Sequence, residues 1–529
     1  MPSSAPTATA PDNNNDNKEA TNKHSPDEKS VYFSIPEDPS HVYPVLSFPE
    51  LSFFDSHQTF PALLIPAKRT AELRNTLSSV ILHRPKIRSV VAVANPSDIK
   101  ADDVDIKKYR KLILDGDVNS VWEINETLRA FLQKEDEQKQ QLHNKVQKST
   151  HTIKLGYADL TVEETLRKLL PVREIPSAFE IVGHIAHVNL RTEVLPFQFI
   201  VGKVILEKNT PRIQTVVNKV GSIDTEFRTF GMKVIASTKG DSHNYDDDKD
   251  WSIVTVREEK CKFQLDFRTV YWNSRLGGEH RRLVQLIRRD ASSKPEEGGL
   301  VVADLMAGVG PFAVPLTTTI TNKNGGKTDA STSMNGNKNI TVFANDLNPE
   351  SYKYLKINSC KNKCEDLHCY NVDARAFVHD LDTRGIVYHH VIMNLPASAP
   401  EFLDAFRGYP SQQTFLPRIH VHCFAEKFTT DNRNTAENND TDNEDRAVLE
   451  RCSKALGCSL DVVKHQVSIH IVRDVAPKKN MLCVSFNLPD EIRSVPRLNL
   501  TAKEEGVTTG SNENSEDCIE PPCKKSRPT

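Results

Sequence analysis

From residue 300 onward, hydrophobic and polar positions alternate in blocks. Leu300 to Asp304 is a short apolar run that ends in an acid, Asn339 to Asn345 is a second run, and Pro349 to Asn358 follows with helical spacing. His389 to Asn394 and His420 to Phe424 are further apolar runs. Val467 to Val472 and Met481 to Phe486 alternate apolar with polar and are joined by Arg473 to Asn480. Short buried strands separated by amphipathic helices predict an α/β fold with a doubly wound, mostly parallel sheet. The final alternating pair predicts an antiparallel hairpin at its edge.

The pattern upstream is more mixed. A folded region begins near Phe48, with a helix over Thr70 to Leu82 and a buried strand over Ile87 to Ala94. Lys134 to Lys148 is a charged helix or linker. Thr161-Val-Glu-Glu164 predicts a capped helix start, because the hydroxyl and the carboxylate three residues on can each satisfy an end N–H. Glu180 to Ile185, Phe197 to Leu206 and Ile213 to Val220 are strand candidates of a small α+β domain. Glu279 to Arg289 is helical, with Leu283, Leu286 and Ile287 as its apolar stripe.

These patterns divide the chain into a polar tail over 1–45, a domain over 46–150, an α+β domain over 151–290, the doubly wound domain over 291–492 and a polar tail over 493–529. Two polar insertions, near 321–338 and 429–445, interrupt the doubly wound domain as surface loops. The last tail carries Lys524-Lys-Ser-Arg527, which reads either as a solvated charge run or as a weak nuclear signal.

Composition narrows the function. The 529 residues carry 68 Lys+Arg against 71 Asp+Glu, a net charge of -3, which excludes a strongly basic nucleic-acid coat but not a local basic face. No apolar run is long enough to span a membrane, and Met1 to Ser30 has neither the apolar core of a secretory signal nor the arginines of a transit peptide. Ten unevenly spaced cysteines suit a reducing compartment. Cys360, Cys364 and Cys369 fit zinc-ligand spacing poorly, so free thiols are expected and no metal.

The chemistry gathers in four motifs. In Val301-Val-Ala-Asp-Leu-Met-Ala-Gly-Val-Gly-Pro-Phe312, a strand ends at Asp304 and a Gly308-x-Gly310 turn leads into a helix. Its glycines let backbone approach a ligand, while Phe312 leaves little room for a pyrophosphate and suits a compact ligand. In Phe343-Ala-Asn-Asp-Leu-Asn-Pro-Glu350, Asp346 can accept from ribose hydroxyls; it lies 42 residues beyond Asp304, lengthened by the insertion. In Asn371-Val-Asp-Ala-Arg375, Asp373 can meet an adenine amino group or simply cap a helix. Val391-Ile-Met-Asn-Leu-Pro-Ala397 delivers Asn394 to a strand end, where an amide can hold a planar base. Upstream, Thr269-Val-Tyr-Trp-Asn-Ser-Arg-Leu-Gly-Gly-Glu-His280 joins aromatics, cations and one carboxylate, Glu279, which also reads as a first-turn acid favoured by the helix dipole.

Taken in order, these motifs resemble the archaeal and eukaryotic tRNA (guanine-37-N1)-methyltransferase family over about 150–490. The resemblance implies a class I S-adenosylmethionine-dependent methyltransferase domain preceded by tRNA-recognition domains, the first reading the outer corner of tRNA and the second gripping the anticodon stem-loop. It implies methylation of N1 of guanosine 37, with Glu279 as general base, Arg228 of Asp224-Thr-Glu-Phe-Arg228 as the cation on O6, and Asn394 orienting the base. It places His280, Asp304, Gly308, Gly310, Asp346, Leu347, Asp373, Ala374 and Asn394 at the cofactor, and Tyr271, Arg275 and Pro396 at the substrate. It further implies tRNA with guanosine at position 37 as partner and the mitochondrial matrix as a further site of residence; composition favours cytoplasm and nucleus, and a monomer with no membrane contact is expected. Two other readings stand beside it: a wybutosine-pathway aminocarboxypropyl transferase on the same scaffold, and a non-catalytic tRNA-binding scaffold.

Overall fold

The structure is a computed structural model that describes residues 48–84, 86–94, 105–137, 146–221, 230–239, 249–293, 299–318, 340–410, 416–427 and 440–497. Among these residues no helix is long and apolar enough to cross a membrane.

The first unit is an antiparallel sheet in the order β2-β3-β1-β4, built from β1 (Ser56–Pro66), β2 (Val90–Ala92), β3 (Tyr109–Ile113) and β4 (Gln147–Leu155). Helices α1 (Thr70–Thr76), α2 (Val121–Ile124) and α3 (Glu126–Glu137) accompany it, and Leu63, Leu73, Leu112 and Leu128 close its core. Two expectations change here. The strand over Ile87 to Ala94 shrinks to three partly exposed residues paired to one face of β3. The 150/151 boundary falls inside β4, whose nine residues pair with β1 and so belong to the first sheet.

The second unit carries α4 (Val162–Leu169), β5 (Glu180–Val182), β6 (Ile185–Val188), α5 (Gln198–Asn209), β7 (Thr215–Val220) and β8 (Gly231–Ser237), with the sheet ordered β5-β6-β7-β8. The capping box forms as expected: Glu164 N–H donates to Thr161 Oγ1 at 3.1 Å, and Thr161 N–H to Glu164 Oε2 at 2.8 Å. The strand expected over Phe197 to Leu206 is instead helix α5. It is sandwiched between α4 and the sheet, with Val201, Val204, Ile205 and Leu206 all buried, so no polar face marks its helical period.

A hairpin, β9 (Ile253–Glu258) and β10 (Cys261–Asp266), joins the second unit to the third. Its Val254, Phe263 and Leu265 share one core with Ile185 and Val217 on one side and Val309, Val314 and Tyr354 on the other. That common core fixes the second sheet against the third unit.

The third unit holds α6 (Gly277–Ser293), β11 (Leu300–Asp304), α7 (Ala313–Thr317), β12 (Ile340–Asn345), α8 (Pro349–Asn362), β13 (Leu367–Tyr370), α9 (Ala374–Thr383), β14 (His390–Met393), β15 (Arg418–Glu426), α10 (Asp440–Leu456), β16 (Ser468–Ala476) and β17 (Lys479–Asn487). The sheet runs β13-β12-β11-β14-β15-β17-β16; the first five strands are parallel and the last two antiparallel, as the block pattern implies. Chain order reverses between β11 and β14, the crevice where open α/β sheets bind ligands.

Segment edges shift. Helix α6 runs through the 290/291 boundary. Residues 493–497, assigned to the tail, pack back on the domain, where Val495 meets the core and Arg497 pairs with Asp382. The first insertion lies outside the described residues, as does most of the second, but residues 440–445 already form the start of α10.

Candidate active site

A cavity of about 680 Å³ opens at the carboxyl ends of β11, β12 and β14, within the size range of small-molecule sites. Its floor is the turn after β11. Gly308 sits at φ +57°, and a Cβ there would meet no atom within 4 Å, so backbone faces open space. Gly310, at φ +96°, has the opposite role: a Cβ would lie 2.8 Å from both Leu355 Cδ1 and Val314 Cγ2, so only glycine lets the turn pack against α8.

Buried amides hold the neighbouring loops. Asn345 Nδ2 donates to Leu305 O at 3.2 Å and Val372 O at 2.9 Å, and its Oδ1 accepts from Val372 N at 3.0 Å. One side chain thus ties the ends of β11, β12 and β13. Asp346 Oδ2 accepts from Gly308 N at 2.8 Å and its Oδ1 from Asn348 N at 2.9 Å. Burial raises the Asp346 carboxyl above its ordinary range, against those backbone hydrogen bonds. Asp373 caps α9, its Oδ1 accepting from Arg375 N and Ala376 N, and also lines the cavity, so its two readings coexist. Asn394, at the end of β14, brings to the cavity a buried Oδ1 with no hydrogen-bond partner. A buried amide oxygen left unpaired is costly unless a ligand supplies its donor. His280 lies at the wall, its Nδ1 2.5 Å from Glu258 Oε1 and its ring edge-on to Phe312.

Glu279 points the other way from the cavity, toward the sheet. Its side chain is 2% exposed. Arg282 donates from Nε to Oε2 at 2.6 Å and from its terminal nitrogen to Oε1 at 2.7 Å, and His422 Nε2 lies 2.8 Å from Oε1. The sulfur of Cys483 and the ligating atoms of Glu279 and His422 all lie within 4.8 Å of one another. Burial would raise the Glu279 carboxyl, but the hydrogen bonds from Arg282 and His422 prevail and hold it down at about 2. His422, fully buried, is penalised by burial yet raised to about 10 by Cys483 and Glu279. At neutral pH the pair is a carboxylate beside an imidazolium.

The cavity gathers most of the expected residues. His280, Gly308, Asp346, Leu347, Asp373, Ala374 and Asn394 line it, together with Tyr271, Arg275 and Pro396. Three of the expected residues stand off the cavity lining. Gly310 acts beneath the turn by packing. Asp304 is fully buried behind the turn, and burial lifts its carboxyl to about 8, so it supports the site without lining it. Glu279 is one layer below the wall. Arg228 lies outside the described residues. Cys360, Cys364 and Cys369 are not joined by disulfides. Sequence reasoning missed Asn345, and it missed the face that the second unit lends the cavity through His187, Lys219 and Met232. Asn345 stands one residue before Asp346 and carried a signal; the others are ordinary strand residues brought there by tertiary packing.

Residues 162–241 match the TYW2 N-terminal domain, and residues 254–449 the TRM5/TYW2 methyltransferase domain. The chain is 49% identical over 465 residues to tRNA (guanine(37)-N(1))-methyltransferase 1 of Phaeodactylum tricornutum, covering 88% of this chain and 93% of that one. It is 38% identical over 434 residues to the tRNA (guanine(37)-N(1))-methyltransferase of Phytophthora infestans, covering 81% and 89%. It is 33% identical over 456 residues to the human protein of that name, covering 83% and 75%.

Proposed function

Because the chain belongs to the tRNA (guanine(37)-N(1))-methyltransferase family, we propose that it transfers a methyl group from S-adenosylmethionine to N1 of guanosine 37 in tRNA. The observation that carries this reading is the cavity itself. It brings an open glycine turn, the Asp346 acceptor and Asn394, whose buried amide oxygen has no partner, to the lining of one cavity of nucleoside-binding size.

The donor set fits that cofactor. S-adenosylmethionine supplies a methyl made electrophilic by its sulfonium. Gly308 leaves room at the turn, Asp346 accepts from ribose hydroxyls, and Asp373 and Leu347 border the adenine end. With Asp346→Ala, cofactor binding is expected to weaken by about 1.5–3 kcal/mol through loss of a charge-assisted hydrogen bond. A calorimetric titration checks this, and unchanged affinity removes Asp346 from the cofactor.

On the substrate side, N1 of guanine bears a proton and a delocalised lone pair, so it attacks only as that proton leaves. Glu279 is the base in this reading and Arg228 the cation on O6, where negative charge grows. Glu279 must exchange part of its hold on Arg282 for the guanine N–H, and catalytic hydrogen bonds commonly tighten only in the substrate complex. Asn394 offers its oxygen to a base donor, Pro396 shapes the wall, and the half-exposed Tyr271 packs on the base once it leaves its stack. The first unit reads the outer corner of tRNA, and the second grips the anticodon stem-loop with the third.

One observation favours a second reading. Residues 162–241 match the TYW2 N-terminal domain, which keeps the aminocarboxypropyl transferase on the same scaffold as the rival. Incubating the full chain with unmodified tRNA and S-adenosylmethionine, then digesting to nucleosides, separates the two by product mass. 1-Methylguanosine is the expected product; an aminocarboxypropyl adduct replaces the methyl reading, and no product from a tRNA-binding chain leaves the scaffold.

A further inference from the structure

The Glu279 side chain is sealed from solvent, so a proton that it takes needs a neighbour that reaches water. Three strands provide its underside in register: His422 of β15 pairs with Cys483 of β17, which pairs with His470 of β16. Helix α6 lays Glu279 and Arg282 over that row. His470 Nε2 lies 3.7 Å from Glu279 Oε2, one bridging water or a shift of less than about 1 Å from a hydrogen bond. Its side chain is 48% exposed, whereas Glu279 and His422 are sealed from solvent.

The neighbours differ in what they can accept. Arg282 is a guanidinium with no acceptor atom. His422 is fully buried and has no path of its own to water. Cys483 is a weak hydrogen-bonding group that is equally buried. That leaves His470, the edge-strand imidazole that touches both Glu279 and water. We propose that His470 relays to solvent the proton that Glu279 takes from guanine N1. This rests on Glu279 being the base, and His470 acts through Glu279 without touching the substrate.

The step balances. The N1–H bond of guanine breaks as its electron pair forms the bond to the incoming methyl, whose bond to sulfur breaks and leaves its pair on the thioether product, and the proton rests on Glu279. It passes to the free nitrogen of neutral His470, and the imidazolium so formed releases a proton to water. Partial burial and the facing Arg282 and His422 charges lower His470 below its ordinary value, against the opposing pull of Glu279, so it is neutral and able to accept at physiological pH.

The test uses the full chain with unmodified tRNA in single turnover. His470→Asn is expected to lower methyl transfer by about tenfold, less than loss of the base itself, because water still reaches the site. The wild-type rate should rise with pH below about 6.5 as His470 loses its proton, and this limb should vanish in the variant. Imidazole added to the buffer should restore most of the lost rate. Cofactor and tRNA affinity should be unchanged. A His470→Asn rate within twofold of wild type across pH overturns the relay and leaves the base reading intact, provided Glu279→Gln is inactive. A rate that falls but is restored by His470→Gln and not by imidazole makes His470 a packing residue and equally overturns it.

Discussion

Glu279→Gln lowers single-turnover methyl transfer by at least about a hundredfold, with cofactor and tRNA affinity little altered. A carboxylate in the first turn of α6 has a structural rival role, since an acid near a helix N-terminus contributes about 0.3–1 kcal/mol of stability and no chemistry. The position of Glu279 adds a larger structural stake. It is clasped by Arg282 and His422 beneath the helix, and disrupting a buried charge pair costs about 3–5 kcal/mol. Glutamine keeps the acceptor oxygen but gives up the charge, so the variant is expected to melt at a lower temperature. The kinetic measurement therefore belongs well below that transition, with calorimetric cofactor binding as the proof of an intact site. The pH behaviour separates the roles further. Because the Glu279 carboxyl sits near 2 when folded, below its ordinary 4.5, its stabilising contribution is complete above about pH 4.5 and is lost as pH falls toward 2. It stays ionised throughout the working range, so any rise of rate near neutrality reports a different group. If the variant transfers methyl within a few-fold of wild type when chemistry is limiting, Glu279 is a helix and pairing residue, and the N1 proton leaves by another route.

What the sequence reveals about this site follows from how local each part is. The Gly308-Val-Gly310 turn, the Asp346 loop and the Asn394 strand end are each encoded by contiguous residues, and the alternation of strand and helix sets their order on the sheet. The cavity assembles them without further information. Apart from Arg282, one turn along the same helix, the neighbours of Glu279 are encoded elsewhere: His422 is 143 residues downstream, and Cys483 and His470 come from a hairpin added at the sheet edge. Their row is created by strand register, which no linear spacing expresses. The misreading of α5 has a related cause. A helix buried on nearly all sides has no polar face, so its apolar run is indistinguishable from a strand until the sheet it packs on is known. Glu279 shows the same limit at one residue. Its type and helical position were legible, but its turn toward the sheet, away from the cavity wall, depends on three strands that follow it.

Replacing guanosine 37 of an otherwise identical tRNA transcript by adenosine abolishes methylation to at least about a thousandfold lower kcat/KM. The two bases share a purine frame and stack equally well on Tyr271, so shape and stacking alone would separate them weakly. They differ at the two atoms that the mechanism uses. Adenine N1 carries no proton, which leaves Glu279 without a task, and adenine presents an amino donor where guanine has O6. Arg228 and that amino group would then be two donors facing each other in a desolvated site. Sites built to hydrogen-bond a substrate reject analogues that leave their polar groups unpaired by about 10⁴–10⁵, far beyond the 10–200-fold available from an apolar pocket. The measurement is methyl incorporation from labelled S-adenosylmethionine into both transcripts at substrate concentrations below KM, with binding of each transcript determined separately. Discrimination should fall in transfer and only slightly in binding, because the two transcripts are otherwise identical. Equal methylation of the two transcripts sinks the guanine assignment and, with it, the roles of both Glu279 and Arg228. A loss confined to binding would instead place the discrimination in tRNA recognition, upstream of the chemistry that the cavity performs.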